Sequence, residues 1–298
     1  MSGAKEGVIV RKKGKQVNSE PYFDQKEIDR MKSEVFELNE WLKQANLIWE
    51  GASSDCPDLS NREIQRIFNV CEGMSEEYAE EDYVGFGRLY GAFWIGMKKG
   101  LRPFLRIGGE NCALIDFSSM NVNLAYFFAG ELPPTDEDLY DLTGLLCGFE
   151  KTPEWRKAVK KFVSSMWFCR NKTMPHGIWI PNQKLKYQDI WFAVLRRHPK
   201  LRKVLSTRNI GYRMAWFEGD IMVTILLQMK SRGIVGLPIH DGLICPQSKA
   251  DEVQQIMSQV TLEKLGFSIP SSVKILEPMK PEALWAVAVD PEISEDLE

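Results

Sequence analysis

The basic charge of this chain is concentrated in one stretch. Residues 151–213 carry 16 Lys and Arg against two acids, Glu154 and Asp189, for a net +14. The other 235 residues carry 22 Lys and Arg against 39 Asp and Glu, a net −17, so the overall −3 conceals a division. Fourteen net positive charges within 63 residues repel one another. That self-repulsion costs stability without an anionic partner, which points to nucleic acid or nucleotide rather than to a merely solvated basic surface. The acidity elsewhere favours solubility.

The remaining composition narrows the class. The chain has 298 residues, 44% hydrophobic and 27% charged, an ordinary globular balance with room for one large domain or two small ones. No apolar run approaches the roughly 18–20 residues of a membrane span. Lys5, Arg11, Lys12, Lys13 and Lys15 precede no apolar segment of the secretory kind, so no signal peptide is expected. The six Cys stand far apart, with no CxxC pair and no His at ligand spacing. That predicts reduced thiols and a cytoplasmic chain rather than a zinc site or disulfide scaffold.

The periodicities organise the chain. Residues 1–20 are polar and aperiodic and are expected to form a flexible basic arm. From Asp24 to Glu50, Ile28, Met31, Val35, Leu38, Leu42, Ala45 and Trp49 recur at steps of three and four, which predicts one long amphipathic helix. Asn61 caps an expected second helix with Ile64, Ile67, Phe68 and Cys71 on one face, making a helical hairpin over 21–80. Residues 75–82 are acidic. Cys112–Phe117 reads as a buried strand ending near Asp116, and Val122–Ala129 as helix. Thr135–Asp138 starts another helix after Pro133-Pro134, 154–170 form a basic helix, and 171–188 read as an irregular or hairpin segment. Met214–Lys230 is helical. Ile234–Ile239, His240-Asp241-Gly242 and Leu243–Cys245 read as strand, tight turn and strand. A helix from Ser248 or Asp251 to Gly266 and an edge strand at Val273–Leu276 complete the order, and the tail is acidic.

Two carboxylates stand out chemically. A carboxylate beside a buried strand is costly unless paired or bound to metal. A single Asp at such a place is commonly a turn or cap residue. Asp116 and Asp241 together, on strand ends that can face one another, are able to hold two divalent cations for in-line phosphoryl transfer. Between them lies the basic helix, where Arg156 and Lys160 share a face and Phe168 lies two turns further on. Two cations and an aromatic ring suit a triphosphate and its base. No GxxxxGK[ST] loop and no nucleophile elbow compete with this reading.

These residues resemble the A-family DNA polymerases and the related single-subunit RNA polymerases of phages and mitochondria. The run Asp116-Phe-Ser-Ser-Met-Asn-Val-Asn-Leu-Ala-Tyr126 is similar to motif A. Asp138-Leu-Tyr140 with Thr143 resembles the segment that follows it. Arg156, Lys160 and Phe168 have motif B spacing, and Leu237-Pro-Ile-His240-Asp241-Gly-Leu-Ile-Cys-Pro246 resembles motif C. Gly87-Arg88-Leu89 resembles an upstream Gly-Arg motif that holds template and primer. The five occur in family order across about residues 82–290.

The resemblance implies an α+β right-hand polymerase with an antiparallel palm sheet, helical fingers and a reduced helical thumb. It divides the chain into an arm (1–20), thumb-like hairpin (21–80), palm (81–133), fingers (134–213), palm again (214–290) and tail (291–298). Asp116 and Asp241 would bind two Mg2+ or Mn2+ ions, with the Phe117 carbonyl as a further ligand. Arg156 and Lys160 would grip the incoming NTP or dNTP, with Tyr140 and Phe168 at its phosphates, sugar or base. Arg88 and His240 would contact the primer strand. Glu218 is either a solvated or capping helix acid or a group facing template and primer.

Departures from the motifs bear on sugar choice. Asn121 stands where the DNA polymerases have Glu, Ser164 where they have an aromatic, and Gly242 where they have Glu. Phe168 lacks the hydroxyl of the RNA polymerases' Tyr. These changes imply weak discrimination against ribonucleotides, or else divergence alone. With Asp116 this near the start, no room is expected for a proofreading or promoter-binding domain. The expected activity is therefore template-directed synthesis of primers or other short products on single-stranded DNA, in a plasmid, phage or other mobile element. A helicase or other replication protein is an expected partner. A small DNA-directed RNA polymerase, a template-independent nucleotidyltransferase and a non-catalytic nucleic-acid-binding module stay open as alternatives.

Overall fold

The computed structural model describes residues 7–19, 21–71, 83–135, 137–168, 184–207 and 210–278. In chain order the elements are β1 (Val8–Lys12), β2 (Lys15–Val17), α1 (Gln25–Lys43), β3 (Leu47–Trp49), β4 (Gln65–Cys71), β5 (Tyr83–Tyr90), β6 (Leu105–Ile107) and β7 (Cys112–Phe117). There follow α2 (Met120–Ala129), α3 (Pro153–Met166), α4 (Tyr187–Arg197), α5 (Arg202–Ser206) and α6 (Ile210–Ser231). Then come β8 (Leu237–Ile239), β9 (Gly242–Pro246), α7 (Ala250–Leu265) and β10 (Ser271–Leu276). The chain is a mixed helix-and-sheet protein of two compact units, one of residues 1–118 and 218–298, the other of 119–217.

Among its described residues the first unit holds three sheets. One is antiparallel throughout, in the order β10-β7-β9-β8. Its apolar strands bury Ala113, Ile115 and Phe117 of β7 with Leu243, Ile244 and Cys245 of β9. Helix α7 packs on β7, β9 and β10, and its Val253, Ile256, Met257 and Val260 are all buried. A second sheet has the order β2-β1-β4-β5, with β1 and β4 parallel and the other pairs antiparallel. The third is the pair β3-β6.

Several expectations change here. The arm is not irregular over residues 8–17: its Val8, Ile9 and Val10 are buried and pair with β4. The first helix starts as expected, with Asp24 accepting from the Glu27 N–H at 2.7 Å, and it buries Ile28, Met31, Val35, Leu38 and Leu42. It ends at Lys43, because Leu47–Trp49 leave to pair with β6. The second helix of the hairpin is absent, since Gln65–Cys71 is a strand. Burial there alternates through Ile64, Arg66, Phe68 and Val70. The buried Arg66 breaks the apolar alternation that marks a strand, leaving a pattern that also matches a helix. Thr135, Glu137 and Asp138 lie in bends and loop rather than at a helix start.

The second unit is helical in its described residues. Thr152 caps α3, and Pro153 occupies its first position. One face of α3 buries Trp155, Ala158, Val159, Phe162, Val163 and Met166, while Arg156, Lys157, Lys160 and Lys161 are exposed on the other. Buried His198 ties the unit together. Its Nε2–H donates to the Leu139 carbonyl at 2.8 Å, so Nδ1 accepts from the Tyr126 hydroxyl at 3.0 Å. The basic helix stops at Met166. The acidic run 75–82, most of the segment 171–188 and the acidic tail lie outside the described residues.

Candidate active site

Strand register brings Asp116 and Asp241 together. Asp116 on β7 pairs directly with Gly242 on β9, and Asp241 is the residue just before. The Phe117 N–H donates to the Asp241 carbonyl at 3.2 Å. Gly242 makes the arrangement sterically possible. A Cβ there would lie 2.7 Å from Asp116 Oδ1 and 2.7 Å from the Ile115 carbonyl. Only a glycine leaves room for a carboxylate over the neighbouring strand.

The turn between β8 and β9 is the two-residue His240-Asp241 link. His240 has φ 53°, at a position where hairpins of this length favour glycine. Holding a histidine in that region costs about 1 kcal/mol or more, which the flanking strands must offset. The ring meets Tyr90 edge-on at 6.2 Å. Desolvation, and then the Arg88 guanidinium, hold its pKa below the ordinary histidine value.

Arg88 is set by a bulge. Ile67 pairs with Arg88 but Phe68 pairs with Phe86, leaving Gly87 as the extra residue of β5. Gly87 has φ +76°, and a Cβ there would strike the Phe68 ring at 2.4 Å. Gly219 on α6 lies against the same bulge, where a Cβ would meet the Gly87 carbonyl at 2.1 Å. The adjacent Glu218 therefore reaches Arg88 Nη2 at 2.6 Å. Buried Arg66 braces the bulge: its Nε donates to the Gly87 carbonyl at 2.9 Å, and Nη1 lies 3.6 Å from Asp220.

Glu218 is 2% exposed and belongs to the same electrostatic neighbourhood as both aspartates. Burial raises its pKa to about 7 against the pull of Arg88, with Asp241 and Asp116 adding to the rise. Its Oε1 and Arg88 Nε are buried without a hydrogen-bond partner among the described residues. The spacing of acids in the sequence leaves Glu218 ambiguous; burial singles it out.

A pocket of about 480 Å3 opens at Asp116, His240 and Asp241. Lys99, Arg102 and Lys274 also line it. Desolvation lowers the pKa of Arg102, and the Asp116 carboxylate opposes that. Sequence reasoning missed Arg102 and Lys274. Arg102 sits on a short 3-10 segment, Lys99–Phe104, and Lys274 on an edge strand, and neither carries a motif. The oxygen donors of the Asp pair suit Mg2+ or Mn2+, which take one or two carboxylates and complete their shell with water and substrate phosphates. Among the described residues no group of three His, Cys, Asp or Glu side chains forms a metal site.

The remaining candidates belong to the second unit. Arg156 is engaged by Asp138, with Nε to Oδ2 at 2.7 Å and Nη2 to Oδ1 at 3.3 Å, and lies 5.4 Å from the Tyr140 ring centroid. Lys160 is exposed one turn along α3. Phe168 meets Tyr212 edge-on at 5.6 Å. Asn121 Oδ1 is buried without a hydrogen-bond partner among the described residues.

No protein-family model matches the chain, and no curated protein sequence matches it. A distant structural neighbour is the POL domain of Pol1 from M. smegmatis in complex with DNA primer-template and dNTP. The TM-score is 0.42 at 13% identity, over 84% of this chain and 51% of that one. This chain thus spans about half the length of that neighbour. None of the described helices is long and apolar enough to cross a membrane.

Proposed function

We propose that this chain is a metal-dependent, template-directed nucleotidyltransferase that makes primers or other short products on single-stranded DNA. The observation that carries the reading is the Asp116–Gly242 pairing one residue from Asp241, with Gly242 leaving the carboxylate its space. Bound Mg2+ or Mn2+ would supply activation of the attacking hydroxyl and neutralisation of charge on the transferred phosphoryl group. Asp116 and Asp241 would hold the ions, with the Phe117 carbonyl as the further ligand. Arg88, aimed by the bulge and by Glu218, positions the primer strand with His240. Arg156 and Lys160 bind the triphosphate, so the substrate competes with Asp138 for the Arg156 guanidinium. Tyr140 and Phe168 bound the nucleotide. Asn121 is neutral and shorter than a glutamate and can hydrogen-bond a ribose 2′-hydroxyl, which favours acceptance of both sugars.

The test is incorporation of labelled NTPs and dNTPs on single-stranded DNA, with and without primer, in Mg2+ or Mn2+. Asp116→Asn and Asp241→Asn should each lower incorporation by at least about 10³-fold, as loss of a metal-holding carboxylate removes several kcal/mol of transition-state stabilisation. Template binding should persist in both. Incorporation at the parental rate in either variant, or product that ignores the template sequence, removes this assignment.

A further inference from the structure

The second unit carries a groove of about 560 Å3 that none of the candidate active-site residues lines. Leu145, Leu146, Leu185 and Leu195 form its apolar surface, and Phe192, Arg196 and Arg202 also line it. Helix α4 turns Ile190, Ala193 and Val194 to the core, which leaves Phe192 on the opposite side with 59% of its surface exposed. An open aromatic ring beside two guanidinium groups is the combination that single-stranded nucleic acid uses, with a base on the ring and phosphates on the cations.

Charge supports that occupant. Residues 184–203 hold seven Lys and Arg and one acid, Asp189. Asp189 lines the groove as well and accepts from the Lys186 N–H at the start of α4 at 2.8 Å, a neutral donor that leaves its negative charge in place, so the two arginines give the groove a net positive charge of one. Arg197 and Lys200 are paired with Glu137 and Glu131. Arg196 donates to the Leu145 carbonyl at 2.6 Å, a neutral partner that leaves its positive charge in place. The two arginines at the groove are thus cations beside an apolar surface.

We propose that this groove takes an unstacked base of single-stranded nucleic acid, with Phe192 as the stacking platform and Arg196 and Arg202 on the flanking phosphates. The proposal rests on the nucleic-acid part of the function above and not on chemistry at Asp116 and Asp241. The experiment titrates the full chain into fluorescein-labelled dT15 and follows anisotropy at several salt concentrations. Phe192→Ala should weaken binding about tenfold, and Phe192→Trp should retain it. Arg196→Gln with Arg202→Gln should make the slope of log Kd against log salt shallower by about 1.4, or 0.7 for each phosphate that a guanidinium no longer neutralises. Phe192→Ala binding dT15 within twofold of the parent, or a salt slope unchanged in the double variant, overturns the groove. So does a change of oligomeric state in Phe192→Ala with dT15 binding intact, which marks a protein-covered surface. The same variants in the incorporation assay separate the two readings. If Asp116→Asn abolishes incorporation while Phe192→Ala leaves dT15 binding intact, only the groove falls. If Phe192→Ala weakens binding and the parent incorporates nothing, only the polymerase falls.

Discussion

Glu218 shows how burial gives a side chain a property that its sequence position does not declare. Its carboxyl sits beside Arg88 with one oxygen unpaired among the described residues, and its pKa is pushed up to about 7. An exposed glutamate in the unfolded chain titrates at the ordinary value near 4.5. Between those values the folded chain binds the extra proton. The contribution of this group to stability is therefore complete below pH 4.5 and is lost as pH rises through 7. A shift of that size corresponds to about 3 kcal/mol. Thermal melts of the parent and Glu218→Gln from pH 5 to 8 should diverge, with the parent losing several degrees relative to the variant as pH rises. A difference between the two that stays constant across that range would show that Glu218 keeps an ordinary pKa. The same residue is a mid-helix acid in the sequence, and nothing in its spacing distinguishes it from Asp220.

Strand β4 is where reading by periodicity failed, and the cause is a single side chain. Arg66 occupies an inward position, so a polar letter stands where an apolar one marks a strand face. Its burial is possible because Gly87 and Asp220 receive the guanidinium. Those partners lie 21 and 154 residues away and are invisible to a local window. The entry to β4 depends on a similar long-range contact. Asn39 on α1 donates to the Ile64 carbonyl at 3.0 Å and accepts from the Ile64 N–H at 2.8 Å, imitating a neighbouring strand. Asn39→Ala leaves both backbone groups buried and unpaired, at a cost of about 2–4 kcal/mol. Calorimetry should show a midpoint lower by about 5–10 °C; a midpoint within a degree of the parent would mean that water reaches Ile64. The helices α3 and α7 and the strands β7 and β9 were legible, because their burial follows the apolar periods without a buried charge.

The charge division found in the sequence persists in the two units. Residues 119–217 carry a net +8 and the other unit a net −11. The basic stretch is diluted by six acids within its own unit, Glu131, Asp136, Glu137, Asp138, Asp141 and Glu150, and Arg156 and Arg197 are held by Asp138 and Glu137. Nucleic-acid binding should nonetheless be strongly salt-dependent despite the overall charge of −3. About six phosphate contacts on a single strand give a slope near −4 in log K against log salt. Filter binding of a labelled 30-mer from 50 to 300 mM salt measures it, and a slope near zero would deny the basic unit any part in binding.

Local information was enough for the apolar strands around Asp116 and Asp241, the basic helix with its two faces, and the charge division. Each is written in spacing or composition over a short window. Tertiary structure alone decided that 8–17 and 65–71 form strands, that Glu218 and Arg88 share a buried site, and that Arg102 and Lys274 reach the Asp116 pocket. These outcomes depend on contacts between distant residues and on the free energy of burying charge, neither of which is a property of any single segment.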